Sequence, residues 1–209
     1  MKGLFITFEG GECSGKTTLI KKLVSYYENK GYKVLTSREP GGTPIAEQIR
    51  NVILDNNNVA MTGKCEALLY AASRIQHLEE KILPALDKGY IVLCDRFIDS
   101  SLAYQGYARN IGFDLILEAN KFVLDYLPDL TILINIKPEI ALKRMSNRPD
   151  KVNRLDAESF NFHKLVYEGY QEVLKRYPNR VKAVDGNLDE DSLFLETINL
   201  IKPYLEKLC

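Results

Sequence analysis

Short apolar runs alternate with longer stretches of helical periodicity along this chain of 209 residues. Leu4-Phe8 is such a run and leads into a glycine-rich turn. Leu19, Ile20, Leu23, Val24 and Tyr27 then recur at helical spacing, and Gly31 is expected as the residue that stops the helix. Lys33-Ser37 reads as a second strand. The turn REPGGT ends in Thr43-Pro44, an N-cap and first-turn pair for a helix carrying Ile45, Ile49, Val52 and Ile53. A long helical segment is expected from about Gly63 to Lys88, with Cys65, Leu68, Leu69, Ala72, Leu83 and Leu86 on its apolar side and Gly89 at its end. Tyr90-Cys94 is continuously apolar, the pattern of a parallel strand buried on both faces. After another helix, Leu130-Ile136 reads as a fourth strand and Pro138 opens a helix. A helix over Ala157-Arg176, a short strand at Val181-Val184 and a final helix complete the pattern.

Strands alternating with helices predict an α/β fold: one five-stranded sheet with helices on both faces, in a single domain spanning 1–209. No repeat or linker interrupts it. Ligands bind such sheets beyond the C-terminal ends of the strands, where Gly10 and Asp95 both fall. Composition narrows the partners. Lys plus Arg and Asp plus Glu both number 28, so the formal net charge is zero, which argues against a general electrostatic grip on nucleic acid or an anionic membrane. No apolar run approaches the ~18 residues of a membrane span, and the apolar start meets Glu9 too early for a signal peptide. A cytoplasmic setting is therefore expected. Cys13, Cys65, Cys94 and Cys209 show no CxxC spacing and only two histidines accompany them, so free thiols are expected rather than disulfides or a zinc site.

The chemistry begins at the glycine-rich turn. Gly10, Gly15, Lys16 and Thr17 fit G-x-x-x-x-G-K-[ST] between a strand and a helix. Backbone N–H groups of such a loop and the helix N-terminus cradle phosphates. Gly10, Gly11, Glu12, Cys13, Ser14, Gly15, Lys16, Thr17 and Thr18 are thus the candidate ATP-binding run, with Lys16 on the β/γ-phosphates. Thr17 and Asp95, which ends the strand IVLCD, are the candidate Mg²⁺ ligands, partly through water. The loop holds no basic residue before Lys16, although phosphoryl transfer calls for positioned cations. The stretch KRMSNRPDKVNR offers Lys143, Arg144, Arg148, Lys151 and Arg154, and is expected to be a mobile lid over about 144–156 that brings an arginine to the phosphates. Arg144 and Arg148, four residues apart, share one face of a continuing helix. Glu12 is a carboxylate in a loop for polyanions, so its side chain is expected to turn from the donor toward a second substrate.

Along nearly its whole length the sequence resembles the thymidylate kinase family, of the P-loop nucleoside monophosphate kinases. The residues that carry this are FEGGECSGKTT, REPGGT at Arg38-Thr43, ALLYAASRIQH at Ala67-His77, DRFIDSSLAYQG at Asp95-Gly106 and NRLDAESF. The resemblance implies a P-loop NTPase fold with a parallel sheet, Mg²⁺- and ATP-dependent phosphorylation of dTMP to dTDP, and a homodimer. It implies that Arg74 and Gln105 read the thymine edge, Tyr70 stacks on its face, Ser101 lines the base pocket and Tyr104 packs on the deoxyribose. Arg96 would hold the acceptor phosphate, with Arg38 and Arg50 as further candidates there and Pro40 in the same pocket. Glu12 would meet the sugar 3′-hydroxyl, and Arg154 would be the catalytic lid arginine beside Lys16, Asp95 and Arg96. Tyr70 stands where many bacterial relatives carry Phe, and Ser73 replaces an acid usual before the arginine.

Three rivals bound this reading. Another nucleotide or deoxynucleoside kinase of the same fold would differ in its acceptor. A nucleotide-binding switch would carry an NKxD motif, which Asn135-Ile136-Lys137-Pro138 is not. A nucleic-acid module fits poorly with zero net charge and no aromatic-basic repeat.

Overall fold

A computed structural model describes residues 3–145 and 153–206 of the chain; Arg148, Lys151 and Cys209 lie outside them. Among the described residues the strands are β1 (Leu4–Glu9), β2 (Val34–Arg38), β3 (Ile91–Asp95), β4 (Leu130–Asn135) and β5 (Val181–Asp185). They form one parallel sheet in the order β2-β3-β1-β4-β5. Each expected strand is present within a residue of its predicted ends. Phe8 and Arg38 both pair with Asp95, so β1, β2 and β3 end side by side. Gly10, Glu39 and Arg96, each the next residue after one of these strands, therefore share one rim of the sheet.

The helices are α1 (Lys16–Asn29), α2 (Pro44–Leu54), α3 (Gly63–His77), α4 (Leu83–Asp87), α5 (Ile98–Ser101), α6 (Phe113–Ala119), α7 (Pro138–Met145), α8 (Phe160–Arg176) and α9 (Glu190–Glu206). Strand alternation splits β1 between two layers. Leu4, Ile6 and Phe8 pack with Leu19, Leu23 and Ile201 of α1 and α9. Phe5 packs on the opposite side with Leu78, Ile82 and Phe97. Burying each such side chain is worth about 1.5–3 kcal/mol.

Three expectations are corrected in detail. The helix foreseen from Gly63 to Lys88 is broken by a π turn at Leu78–Ile82, before α4. Pro84 has no N–H for the carbonyl four residues back, and the wider turn precedes it. Thr43 does sit at the N-cap of α2, but its hydroxyl makes no cap bond and is buried without a partner among the described residues. Instead Glu47 reaches back from the first turn and accepts from Gly42 N at 2.7 Å. The helix expected from Ala157 starts at Phe160, where Ser159 caps Phe162 N at 3.2 Å.

A π segment at Leu102–Ala108 continues α5 and packs against α8 at Gly169, where a Cβ would stand 2.9 Å from Ala103 Cα. That close approach brings Tyr104 to a ring-to-ring distance of 6.2 Å from Tyr170, next to the strand ends.

Candidate active site

A cleft of about 660 Å³ opens at the shared rim. Its volume lies within the roughly 300–1,000 Å³ range of small-molecule sites. One end is the phosphate loop. Gly10 has φ 136°, and a Cβ there would meet the Ile134 carbonyl at 2.6 Å, so only glycine fits. α1 begins at Lys16 with no acidic residue in its first turn, leaving the positive end of its dipole to an anion. Lys16 Nζ folds over its own loop, donating to the Gly10 and Gly11 carbonyls at 3.1 and 3.0 Å and to Ser14 Oγ at 3.2 Å. Burial, with Arg96 nearby, draws its pKa below the ordinary lysine value. Thr17 Oγ1 donates to Asp95 Oδ2 at 3.2 Å, which brings the two candidate metal ligands together. Cys13, Ser14, Gly15 and Thr18 of the loop line the cleft, as does Arg144, whose Nη2 donates to the Gly186 carbonyl at 3.0 Å.

The other end is organised by Arg96, which directly follows β3 and has φ 70°, a left-handed conformation that strains a non-glycine residue. Its N–H donates to the Phe8 carbonyl at 2.9 Å. Its Nη1 donates to the Gly10 carbonyl at 3.0 Å and to Tyr170 Oη at 3.0 Å, and Nη2 donates to Glu12. Glu12 Oε1 also accepts from Tyr104 Oη at 3.1 Å. The carboxylate thus turns away from the phosphate loop, toward the far side of the cleft. Burial raises its pKa, but Arg96 and Lys16 outweigh that and hold it below the ordinary carboxylate value. Arg38, Pro40, Arg50, Leu54, Tyr70, Tyr104 and Gln105 complete this end. Arg50 Nη1 donates to the Pro40 carbonyl at 2.7 Å, and Arg38 is paired with Glu47 at 3.0 Å.

Three expected residues are not brought into the cleft. Arg74 is 1% exposed and fully engaged in the wall. Its Nε donates to Glu39 Oε2 at 2.7 Å, Nη1 to Asn120 Oδ1 at 2.7 Å, and Nη2 to Ser101 Oγ at 3.0 Å and the Phe97 carbonyl at 3.2 Å. Ser101 is therefore behind the lining as Arg74's acceptor. Arg154, expected over the phosphates, instead donates to the Ile53 carbonyl at 2.9 Å and to Glu66 Oε2 at 2.6 Å. Its neighbours Asn153 and Leu155, and Asp156 beyond, do line the cleft. Ser73, which stands where an acid was usual, accepts from Gly41 N at 3.1 Å and so braces the REPGGT turn, while Glu39 holds Arg74.

Sequence reasoning missed Glu9, Glu39 and Glu66. Glu9 is wholly buried, accepts from Phe97 N at 2.7 Å, and hydrogen-bonds Tyr170 Oη at 2.9 Å and Ser100 Oγ. Burial and the charge of Asp99, against the opposing pull of Arg96, push its carboxyl up to about 7. Glu66 had a visible signal: Glu66, Tyr70 and Arg74 succeed one another at intervals of four, along one face of α3.

Sheet order, loop and adjoining cleft together belong to the P-loop NTPase class. Comparison with known proteins then narrows this. The family model described as thymidylate kinase matches residues 8–194. A thymidylate kinase of Clostridium novyi is 53% identical over 203 residues, covering 96% of this chain and 99% of the relative. One from Bacillus velezensis is 51% identical over 210 residues, covering 100% and 99%. The crystal structure of thymidylate kinase from Ehrlichia chaffeensis superposes with a TM-score of 0.77 at 31% identity, covering 96% of this chain and 100% of that one. This chain belongs to the thymidylate kinase family.

Proposed function

We propose that the chain transfers the γ-phosphate of ATP to dTMP, giving dTDP and ADP, as a step of dTTP biosynthesis. The observation that carries this is Arg96: one guanidinium bonds both the phosphate loop, at Gly10, and the acceptor-side carboxylate Glu12. A monophosphate held there faces the γ-phosphate of a nucleotide in the loop. Loop amides and Lys16 hold the donor's β- and γ-phosphates. Arg96, with Arg50 and Arg38, holds the acceptor phosphate. Tyr70 stacks on the base, Tyr104 packs on the sugar, Gln105 addresses the base edge, and Glu12 accepts from the 3′-hydroxyl. Arg144, which lines the cleft, serves in this reading as the cation for the donor.

The acceptor needs no general base, because a phosphate monoester with a second pKa near ~6 is already ionised at neutral pH. One of its oxygens attacks the γ-phosphorus, the bond to the bridging oxygen breaks, and ADP leaves. The chain's contribution is alignment and the gathering of cations around the transferring group. Mg²⁺ takes one or two protein oxygens and fills its other positions with water and phosphate; the Thr17 and Asp95 oxygens, 3.2 Å apart, suit that kind of set. When bound, the ion neutralises charge on the β- and γ-phosphates.

The same reading includes a single domain with a short lid near 144–156, a cytoplasmic setting and a homodimer. Exposed Leu68, Leu115, Phe122 and Tyr126 offer apolar surface for a second copy, and no helix of the described residues is long and apolar enough to cross a membrane. The test is ADP release from ATP and Mg²⁺ with dTMP, dUMP, AMP, CMP, GMP, thymidine or no acceptor. Turnover on dTMP, with dUMP weaker, is expected. Turnover on thymidine instead of dTMP, or independent of acceptor, overturns the assignment.

A further inference from the structure

What Gln105 shows to a ligand depends on how its amide is turned, because one branch is an acceptor oxygen and the other a donor NH₂. Gln105 lines the acceptor end of the cleft, and its Nε2 donates to Glu66 Oε1 at 2.8 Å. Glu66 is wholly buried. Its Oε2 accepts from Arg154 at 2.6 Å, and Arg109 reaches the two oxygens at 3.4 and 3.3 Å. Burial raises the pKa of this carboxyl, but the hydrogen bonds from Gln105 and Arg154 and the charge of Arg109 outweigh it and hold it below the ordinary value. An ionised carboxylate accepts and never donates. The branch of Gln105 that touches it is therefore the NH₂, and the oxygen is the other branch, left to face away from Glu66.

We propose that Glu66 is a positioning residue for base selection: by holding the Gln105 amide nitrogen, it presents the Gln105 carbonyl oxygen to the base in the cleft. A pyrimidine with a proton on N3, as in thymine or uracil, donates to that oxygen. Cytosine brings a lone pair at N3 and sets two acceptors against each other, leaving both unsatisfied. Arg154 and Arg109 serve the selection by keeping Glu66 charged. The inference rests on dTMP being the acceptor and names the residue that decides the polarity of its recognition.

Glu66→Gln tests it, since an amide at 66 both donates and accepts and no longer dictates the orientation of Gln105. The ratio of kcat/KM for dTMP to that for dCMP is expected to fall by about tenfold or more in this variant. Glu66→Asp, still acceptor-only, keeps the ratio while lowering both values. An equal loss on dTMP and dCMP in Glu66→Gln overturns the proposal while leaving the kinase assignment standing; a wild type that does not prefer dTMP overturns both. A measurement on the wild type removes any dependence on the variant folding. In the dTMP-bound protein, a ¹⁵N–¹³C coupling across the hydrogen bond from Gln105 Nε2 to the Glu66 carboxylate is expected. Loss of that bond on binding dTMP overturns the proposal.

Discussion

The phosphate loop and the acceptor cleft lie side by side at one rim of the sheet, yet they are built in opposite ways. The loop is a single stretch between β1 and α1, and its phosphate-binding groups are backbone N–H groups joined by the one ammonium of Lys16. The acceptor side is made of side chains from the end of β2 and the turn after it, α2, α3, the residue after β3 and the π segment after α5, with Glu12 reaching in from the loop. Ion pairs cross-link it: Arg74 with Glu39 and Arg154 with Glu66, both buried, and Arg96 with Glu12, half-buried at the cleft. A loop of backbone donors suits phosphates, which every nucleotide shares. A wall of oriented side chains suits one particular acceptor. Buried ion pairs add little net stability over apolar packing, because desolvation cancels much of their attraction, but breaking one is costly. Their use here is consistent with holding side chains at fixed angles.

Removing a charge from the acceptor wall should therefore damage the fold more than removing one from the loop. Arg74→Ala strands the Glu39 carboxylate in the interior and is expected to cost about 3–5 kcal/mol in urea unfolding. A stable variant whose dTMP KM alone rises would return Arg74 to base reading. Lys16→Ala is expected to do the reverse, lowering kcat by about 10²–10³-fold with the unfolding midpoint nearly unchanged. Comparable loss of stability in that variant would erase the contrast between the two regions.

Glu9, beneath the junction of the two regions, sets a pH dependence. Its folded carboxyl titrates near 7 against an ordinary 4.5, so between those values the folded protein keeps a proton that the unfolded chain has released. Stability attributable to Glu9 therefore falls as pH rises through that window, by on the order of 3 kcal/mol, and is level above it. Glu9→Gln, which mimics the protonated acid toward Ser100 and Tyr170, should remove this slope. Unfolding curves of variant and wild type that stay parallel from pH 4.5 to 8 would show that Glu9 is ionised throughout. The smallest effect is expected of Glu12→Ala: a rise in the dTMP KM equivalent to about 1–3 kcal/mol, with the ATP KM moving less. Unchanged dTMP kinetics would sink the role given to this residue.

The legibility of the two regions differs in the same way. Strands ending at Glu9 and Asp95, the turn of Gly10 and the stops at Gly31 and Gly89 arise from local patterns, and both stops do adopt positive φ. The π turn before Pro84 was less visible, because a helical repeat reads the same through one wider turn. Arg74, Ser101 and Arg154 carried motif resemblance, but their contacts depend on Glu39, Asn120 and Glu66, partners 35, 46 and 88 residues away along the chain. No local pattern announces such a pairing.

The sequence by itself determined the alternating α/β layout, the phosphate loop and the family, since each rests on periodicity or on a contiguous motif whose chemistry is local. Only the tertiary structure decided which charged side chains face the cleft and which brace it from behind. That choice is made by desolvation: a buried guanidinium must find its carboxylate wherever the fold has put one, and the partner's place in space is not written in its place along the chain.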